Sequence, residues 1–184
     1  MNGPLIILSG PSGSGKSTII RRLLGGGDLP LRLSVSATTR PPRPGERDGV
    51  DYHFMSREAF ERAVDAGQFL EWAEYAGNRY GTLRSELDRD VAVLVLEIEV
   101  QGARQVRERV PEAYTVFIAP PSREALRERL IGRGSDAPDQ IERRLQVAEE
   151  EMAAEDEFDK VIVNDDLSRA VQELGDLVAT MWQL

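Results

Sequence analysis

The sequence predicts an α/β fold: a three-layer core on a parallel sheet, with a small mixed α+β lobe inserted into it and a helical lid. Three observations predict it. Residues 5–8 (LIIL) are a continuous apolar run that leads into a glycine-rich loop and an amphipathic helix, as expected of a strand buried on both faces. Residues 91–98 and 114–119 are further apolar runs, each followed by a stretch of helical periodicity, and strands alternating with helices build a parallel sheet. Residues 38–84 interrupt that alternation with prolines, glycines, tyrosines and short strand-like pieces. The expected division is a core of 1–37, 85–127 and 158–184, a lobe of about 38–84, and a lid of about 128–157.

The loop after the first strand, Gly10-Pro11-Ser12-Gly13-Ser14-Gly15-Lys16-Ser17, matches G-x-x-x-x-G-K-[ST] in full, with Thr18 next. It sits between a strand and a helix, the context in which this motif binds phosphate. Its glycines remove side chains that would block close approach of backbone to an anion. The loop N–H groups and the helix N-terminus then converge on a phosphate. In that arrangement Lys16 reaches the β/γ-phosphates of a nucleoside triphosphate, and the Ser17 hydroxyl completes a Mg²⁺ shell. The bland alternative, a Gly/Ser-rich turn, does not account for eight matching positions.

The helix at 16–24 places Ile19, Ile20, Leu23 and Leu24 on one face, and Gly25-Gly26-Gly27 ends it as a turn. Residues 31–36 alternate as a strand does. The segment 40–49 is irregular, with Arg40, Arg43 and Arg47 among prolines and glycines. It reads as a PxxP ligand, as a solvated loop, or as a clamp for a second phosphate, since arginine pairs bidentately with phosphate oxygens. Residues 51–55 read as a strand, Ser56 caps a helix to 66, and Gly67 stops it. Strand character returns at 69–75, with Glu71, and 77–82 reads as a turn. Tyr52, Tyr75 and Tyr80 fall in this lobe, each readable as packing or as ligand contact.

Residues 91–98 read as a central parallel strand that ends in Glu97 and Glu99. Two residues apart, these share one side of a strand, at the carboxyl end where open α/β sheets bind ligands. They are either a surface acidic pair or indirect, water-mediated partners of Mg²⁺. A helix at 101–110 stops at Pro111, the strand 114–119 follows, and Ser122 caps a helix to 131 that carries Arg127 and Arg129. Arg133 lies in a loop at 132–138 expected to be mobile. The next helix has an apolar stripe of Ile141, Leu145, Ala148 and Met152, with Arg143 and Arg144 near its start. This hairpin is either a solvated charged pair of helices or a lid over phosphates. Residues 160–164 and 167–182 are the last strand and helix, and there is no internal repeat.

The chain has 184 residues, 41% hydrophobic and 30% charged, a composition ordinary for a globular domain. No apolar run approaches the length of a membrane span, and the N-terminal residues lack a basic leader, so no signal peptide and no membrane partner are expected. The absence of cysteine excludes disulfides and thiolate metal sites and accords with a cytoplasmic location. A net charge of −9 argues against nucleic acid as a partner. Only Lys16 and Lys160 are lysines, so 21 of the 23 basic residues are arginine. One of the two lysines stands at the motif position, where a compact ammonium is wanted. With His53 as the only histidine, histidine triads and multi-histidine metal sites are excluded.

Seven stretches, in order and at fitting spacing, resemble guanylate kinases over nearly the whole chain. They are Gly10 to Thr18, Ser34-Val35-Ser36-Ala37-Thr38-Thr39-Arg40, Asp51-Tyr52-His53-Phe54, Phe69-Leu70-Glu71-Trp72-Ala73, Asn78-Arg79-Tyr80-Gly81, Ile118-Ala119-Pro120-Pro121-Ser122 and Val161-Ile162-Val163-Asn164-Asp165. The resemblance implies a P-loop NTPase core, a GMP-binding lobe, ATP and GMP as substrates, and Mg²⁺ as cofactor. By the same resemblance Arg40, Arg43, Tyr52 and Tyr80 hold the GMP phosphate, while Ser36, Glu71 and Thr82 read guanine, with Glu97 close by. Arg129, Arg133 and Arg144 face the ATP phosphates from the lid, and Asn164 lies near adenine. The catalytic set it implies is Lys16, Arg40, Arg129, Arg133 and Arg144. Two departures stand out: the family often has serine at Thr82 and aspartates at Glu97 and Glu99.

The implied activity is transfer of the γ-phosphoryl group of ATP to GMP, giving ADP and GDP. Two other classes fit parts of the chain. A non-catalytic, protein-binding module of this fold would carry a degraded glycine loop, whereas Lys16 and Ser17 are intact. A kinase of a phosphorylated ribose would keep the ATP side and have no use for Glu71. Oligomeric state is not written in the sequence.

Overall fold

The computed structural model describes residues 3–27, 29–75, 77–88, 93–132 and 138–183. β1 (Leu5–Ser9) is buried along its whole length, because it occupies the centre of a five-stranded, all-parallel sheet. With β2 (Leu31–Leu33), β7 (Val93–Glu97), β8 (Tyr114–Ala119) and β9 (Lys160–Val163), the order is β2-β7-β1-β8-β9. Ile6 and Leu8 point to one face, where Ile19 and Ile20 of α1 (Lys16–Gly26) and Leu174 and Val178 of α6 (Leu167–Trp182) complete a core. Leu5 and Ile7 point to the other, against Ala103 and Val106 of α3 (Val100–Arg109). Strand period two thus supplies both helix layers from one apolar run.

A second sheet of four strands runs β4-β3-β6-β5, from β3 (Ala37–Thr38), β4 (His53–Phe54), β5 (Phe69–Tyr75) and β6 (Asn78–Leu83). β3 and β4 are parallel and the other pairs antiparallel. α2 (Arg57–Asp65) covers it, its first turn closed by the Ser56 hydroxyl accepting from the Ala59 N–H at 3.1 Å. This lobe has its own core, in which Phe60 stacks on Phe69 at 4.3 Å. A helical hairpin, α4 (Arg123–Gly132) and α5 (Pro138–Met152), follows β8 and packs Leu126 and Leu130 on Ile141, Leu145 and Ala148.

Four expectations are corrected. The glycine triplet does not simply end α1: Gly25 and Gly26 form its last turn, and Gly27, at φ 71°, closes it in the left-handed region. The strand expected at 31–36 is cut short at 33, and the next strand, 37–38, belongs to the second sheet. Buried Glu86 explains the break, since its carboxylate takes the Val35 N–H at 3.0 Å, which draws the chain off the ladder. The turn expected at 77–82 is strand β6, with the reversal near Gly77. Gly81 sits opposite Trp72, and a Cβ there would meet the Glu71 carbonyl oxygen at 2.7 Å, so this glycine marks close approach and not a turn. Finally, β7 ends at Glu97, and Glu99 is the residue that precedes α3. The two glutamates therefore do not share a strand face. Residues 91 and 92 of the expected strand, and Arg133 with most of its loop, lie outside the described residues. Among the described residues no helix is long and apolar enough to cross a membrane.

Phe60 is fully buried in a core that the lobe does not share with the sheet below. Phe60→Ala should cost about 3–5 kcal/mol, read as a fall in the urea midpoint. A change within experimental error would mean that this small core contributes little to stability.

Candidate active site

The glycine loop lies at the carboxyl end of β1, as the parallel topology requires. Gly10, Gly13 and Gly15 have φ of 132°, 96° and 102°, a region closed to most side chains. Lys16 is buried and folds back so that its Nζ donates to the carbonyls of Gly10 and, at 3.1 Å, Pro11. Ser17, one residue into α1, donates its hydroxyl to Glu97 Oε1 at 2.6 Å. Asn164, after β9, is buried behind the loop and donates its amide to the Ser14 carbonyl at 2.7 Å. It buttresses the loop from behind and does not line the cleft in front of it.

That cleft measures about 690 Å³ and runs from Ser12, Gly13, Lys16 and Ser17 to Ser36, Tyr52, Glu71 and Tyr80. Glu71 is buried, and the Thr82 hydroxyl opposite it on β6 donates to its Oε1 at 2.7 Å. Burial pushes the Glu71 carboxyl up, against the opposing pull of the Thr82 hydroxyl and N–H. Thr82's one proton is therefore committed to Glu71, and Thr82 itself is fully buried outside the cleft lining. Arg40 forks onto Glu46 with bonds of 3.0 and 2.9 Å and lies over the Tyr52 ring at 5.3 Å. The pairing lowers the Glu46 carboxyl and raises the guanidinium. Arg43 reaches both this cleft and a neighbouring one.

The neighbouring cleft, about 840 Å³, separates the lobe from the hairpin and carries Arg40 and Arg43 on one wall and Arg143 and Arg144 on the other. Arg144 bonds the Ser12 hydroxyl of the glycine loop at 2.9 Å. Arg129 lies further back, donating to the carbonyls of Ser14 at 3.1 Å and Asn164 at 2.7 Å. Of the expected arginines, Arg40, Arg43 and Arg144 converge on the clefts, Arg129 braces the loop, and Arg133 is among the residues not described. Near the end of α5, Glu151 takes the Ser12 N–H and meets the Glu99 carboxyl close to Lys16. Burial, and then the Glu99 carboxyl, push the Glu151 carboxyl up to about 9. Glu99 Oε2 is buried without a donor among the described residues.

A family model described as guanylate kinase matches residues 2–181. The chain belongs to the guanylate kinase family. A guanylate kinase of Rubrobacter xylanophilus is 52% identical over 181 residues, spanning 96% of this chain and 93% of the relative. One of Nostoc is 54% identical over 177 residues, spanning 95% and 88%. The crystal structure of guanylate kinase from Anaplasma phagocytophilum has a TM-score of 0.80 and 33% identity, over 99% of this chain and 87% of that one. TT1252 from Thermus thermophilus, 16% identical with a TM-score of 0.57, shares the fold.

For a guanylate kinase, three parts of the site were missed in the sequence. Ser34 lines the cleft with a buried hydroxyl that has no partner among the described residues. Its signal was the strand alternation that also marks Ser36. Glu46, which holds Arg40, had no signal beyond a charge in a loop. Glu151 sits in a run of glutamates that reads as solvated surface, and only its tertiary contacts distinguish it.

Because the folded chain retains on Glu151 a proton that an unfolded glutamate (ordinary value 4.5) releases, this contact weakens as pH rises from about 4.5 toward about 9. Glu151→Gln keeps the neutral form at every pH. It should flatten the fall of stability with pH in that window, by at most about 1.4 kcal/mol per pH unit. Thermal unfolding of both proteins at intervals from pH 5 to about pH 9 measures it, and parallel curves would show Glu151 ionised in the folded protein.

Proposed function

We propose that this chain transfers the γ-phosphoryl group of ATP to GMP by aligning the two nucleotides and neutralising the charge that moves between them. One observation carries the reading: a single cleft has Lys16 and Ser17 at one end and Glu71 at the other. The loop from Gly10 to Thr18 cradles the ATP phosphates, and Asn164 supports it at the adenine side. Lys16 leaves its neutral carbonyl acceptors for phosphate oxygens, which form stronger charge-assisted bonds. Arg40, Arg43, Tyr52 and Tyr80 take the GMP phosphate, with Glu46 presenting the Arg40 fork in advance. Ser36 and Glu71 read guanine, and Thr82 acts through Glu71. Arg144 approaches the transferred group from the hairpin, while Arg129 holds the loop rigid; Arg133 belongs to the same set by the family resemblance and lies outside the described residues. The lobe then begins where the chain leaves the first sheet, at 34–36, and the lid is the hairpin.

A hard, oxygen-liganded cation suits this site: the Ser17 hydroxyl and Glu97 carboxylate lie 2.6 Å apart at the loop's exit. When bound there, Mg²⁺ neutralises charge on the β- and γ-phosphate oxygens. Ser17 is its direct protein ligand in this reading, with Glu97 and Glu99 acting through water. No general base is required, since a phosphomonoester with a second pKa of about 6 is mostly a dianion at neutral pH. The one histidine, His53, is accordingly occupied elsewhere, 3.5 Å from Glu86. With nucleotides as substrates, the site of action is the cytoplasm.

ADP release coupled to a reporter, with GMP, AMP, CMP, UMP and ribose 1,5-bisphosphate as acceptors, tests the reading directly. GMP should be the preferred acceptor, and Lys16→Ala should abolish most turnover while cooperative melting persists. No GMP-dependent release from folded protein would end it.

Base choice makes a sharper test. Guanine offers N1–H and N2–H₂ as parallel donors to a carboxylate, whereas adenine turns a lone pair at N1 toward it. Such a bidentate pair is worth about 1–3 kcal/mol. Glu71→Gln should therefore cut kcat/KM for GMP and narrow the GMP/AMP ratio, mainly through loss on GMP. An unchanged ratio would remove Glu71 from base reading.

A further inference from the structure

We propose that Gly102 is a positioning residue for base selection, its missing side chain being the space into which the Glu71 carboxylate fits. The inference rests on Glu71 reading guanine. Gly102 lies inside α3, where glycine costs about 1 kcal/mol relative to alanine. Nothing in its backbone asks for glycine, since it is not among the residues with positive φ. The demand comes from across the seam. A Cβ on Gly102 would lie 2.5 Å from Glu71 Oε2, while its other neighbours, Glu71 Cδ and Ile98 Cδ1, stand at 3.2 and 3.5 Å.

Two more residues on the same face of α3 fix the strand on either side of Glu71. Gln105 grips Trp72 twice, accepting from its N–H at 3.3 Å and donating to its carbonyl at 2.8 Å. Arg109 donates to the Leu70 carbonyl. Spaced by three and four residues, Gly102, Gln105 and Arg109 line up along one stripe of the helix. The backbone of 70–72 is thus held from both sides, and Thr82 holds the other carboxylate oxygen. A methyl group on residue 102 would leave only the tip of Glu71 free to move. Ordinary contact begins at 3.4 Å, so that tip must shift by roughly an ångström, and a misplacement of about 1 Å can cost on the order of 100-fold in rate. Moving the end of a side chain costs the fold little. Selectivity, not stability, is what should change.

Gly102→Ala in the full chain tests this, with kcat/KM for GMP and AMP, KM for ATP and thermal unfolding measured together. The expected result is a GMP/AMP ratio lower by about 10- to 100-fold, with KM for ATP and the melting temperature held. In a Glu71→Ala background, where no carboxylate remains to displace, Gly102→Ala should lower GMP turnover no further. An unaltered GMP/AMP ratio in Gly102→Ala, with Glu71→Gln still narrowing it, overturns this inference alone. Equal loss for both nucleotides with a lower melting temperature overturns it too. An unaltered ratio in Glu71→Gln overturns the base-reading assignment and this inference together.

Discussion

Three glycines of the phosphate loop approach other parts of the molecule more closely than a side chain permits, and the arrangement of the site depends on those approaches. A Cβ on Gly10 would lie 2.3 Å from the Ile118 carbonyl of β8, one on Gly13 2.9 Å from Leu126 of α4, and one on Gly15 2.2 Å from the Asn164 amide. The loop is therefore wedged between a neighbouring strand, helix α4 and the turn after β9. A rigid cradle follows, its backbone shape set before any ligand arrives. So does a mechanical link, since α4 rests directly on the glycine-rich loop.

Around that cradle the cationic groups are already held. Lys16 is on two carbonyls, Arg129 on two more, and Arg40 on Glu46. A chain of net charge −9 gathers arginine locally here and orients Arg40 and Arg129 with acceptors of its own. Long side chains aimed in advance lose less freedom on binding.

Much of this was readable in the residues. The glycine loop, the all-parallel sheet and the order of helices follow from one motif and the hydrophobic periodicities, both local signals. What local signals could not supply is what depends on a partner far along the chain. Gly81 looks like a turn until Trp72 is placed opposite it. Glu99 looks like the next strand residue until α3 begins one position later. Thr82 looks like a contact to base until its proton is found on Glu71. The strand break at 34–36 needs Glu86, some fifty positions away (Val35 N–H to Glu86, separation 51). Gly102 differs in kind, for a glycine within a helix is a visible anomaly with an invisible cause.

The seam between α3 and β5 bears on how this molecule is divided. By chain order Glu71 belongs to the lobe, yet its strand is bonded along its edge by a helix of the core. The lobe is consequently not a cassette. A chimera that exchanged residues 37–83 between two relatives would import a carboxylate without the groove that seats it, and a faithful graft must carry residues 102–109 as well. Ancestry should have met the same constraint, with both segments inherited as one unit despite the strand that separates them.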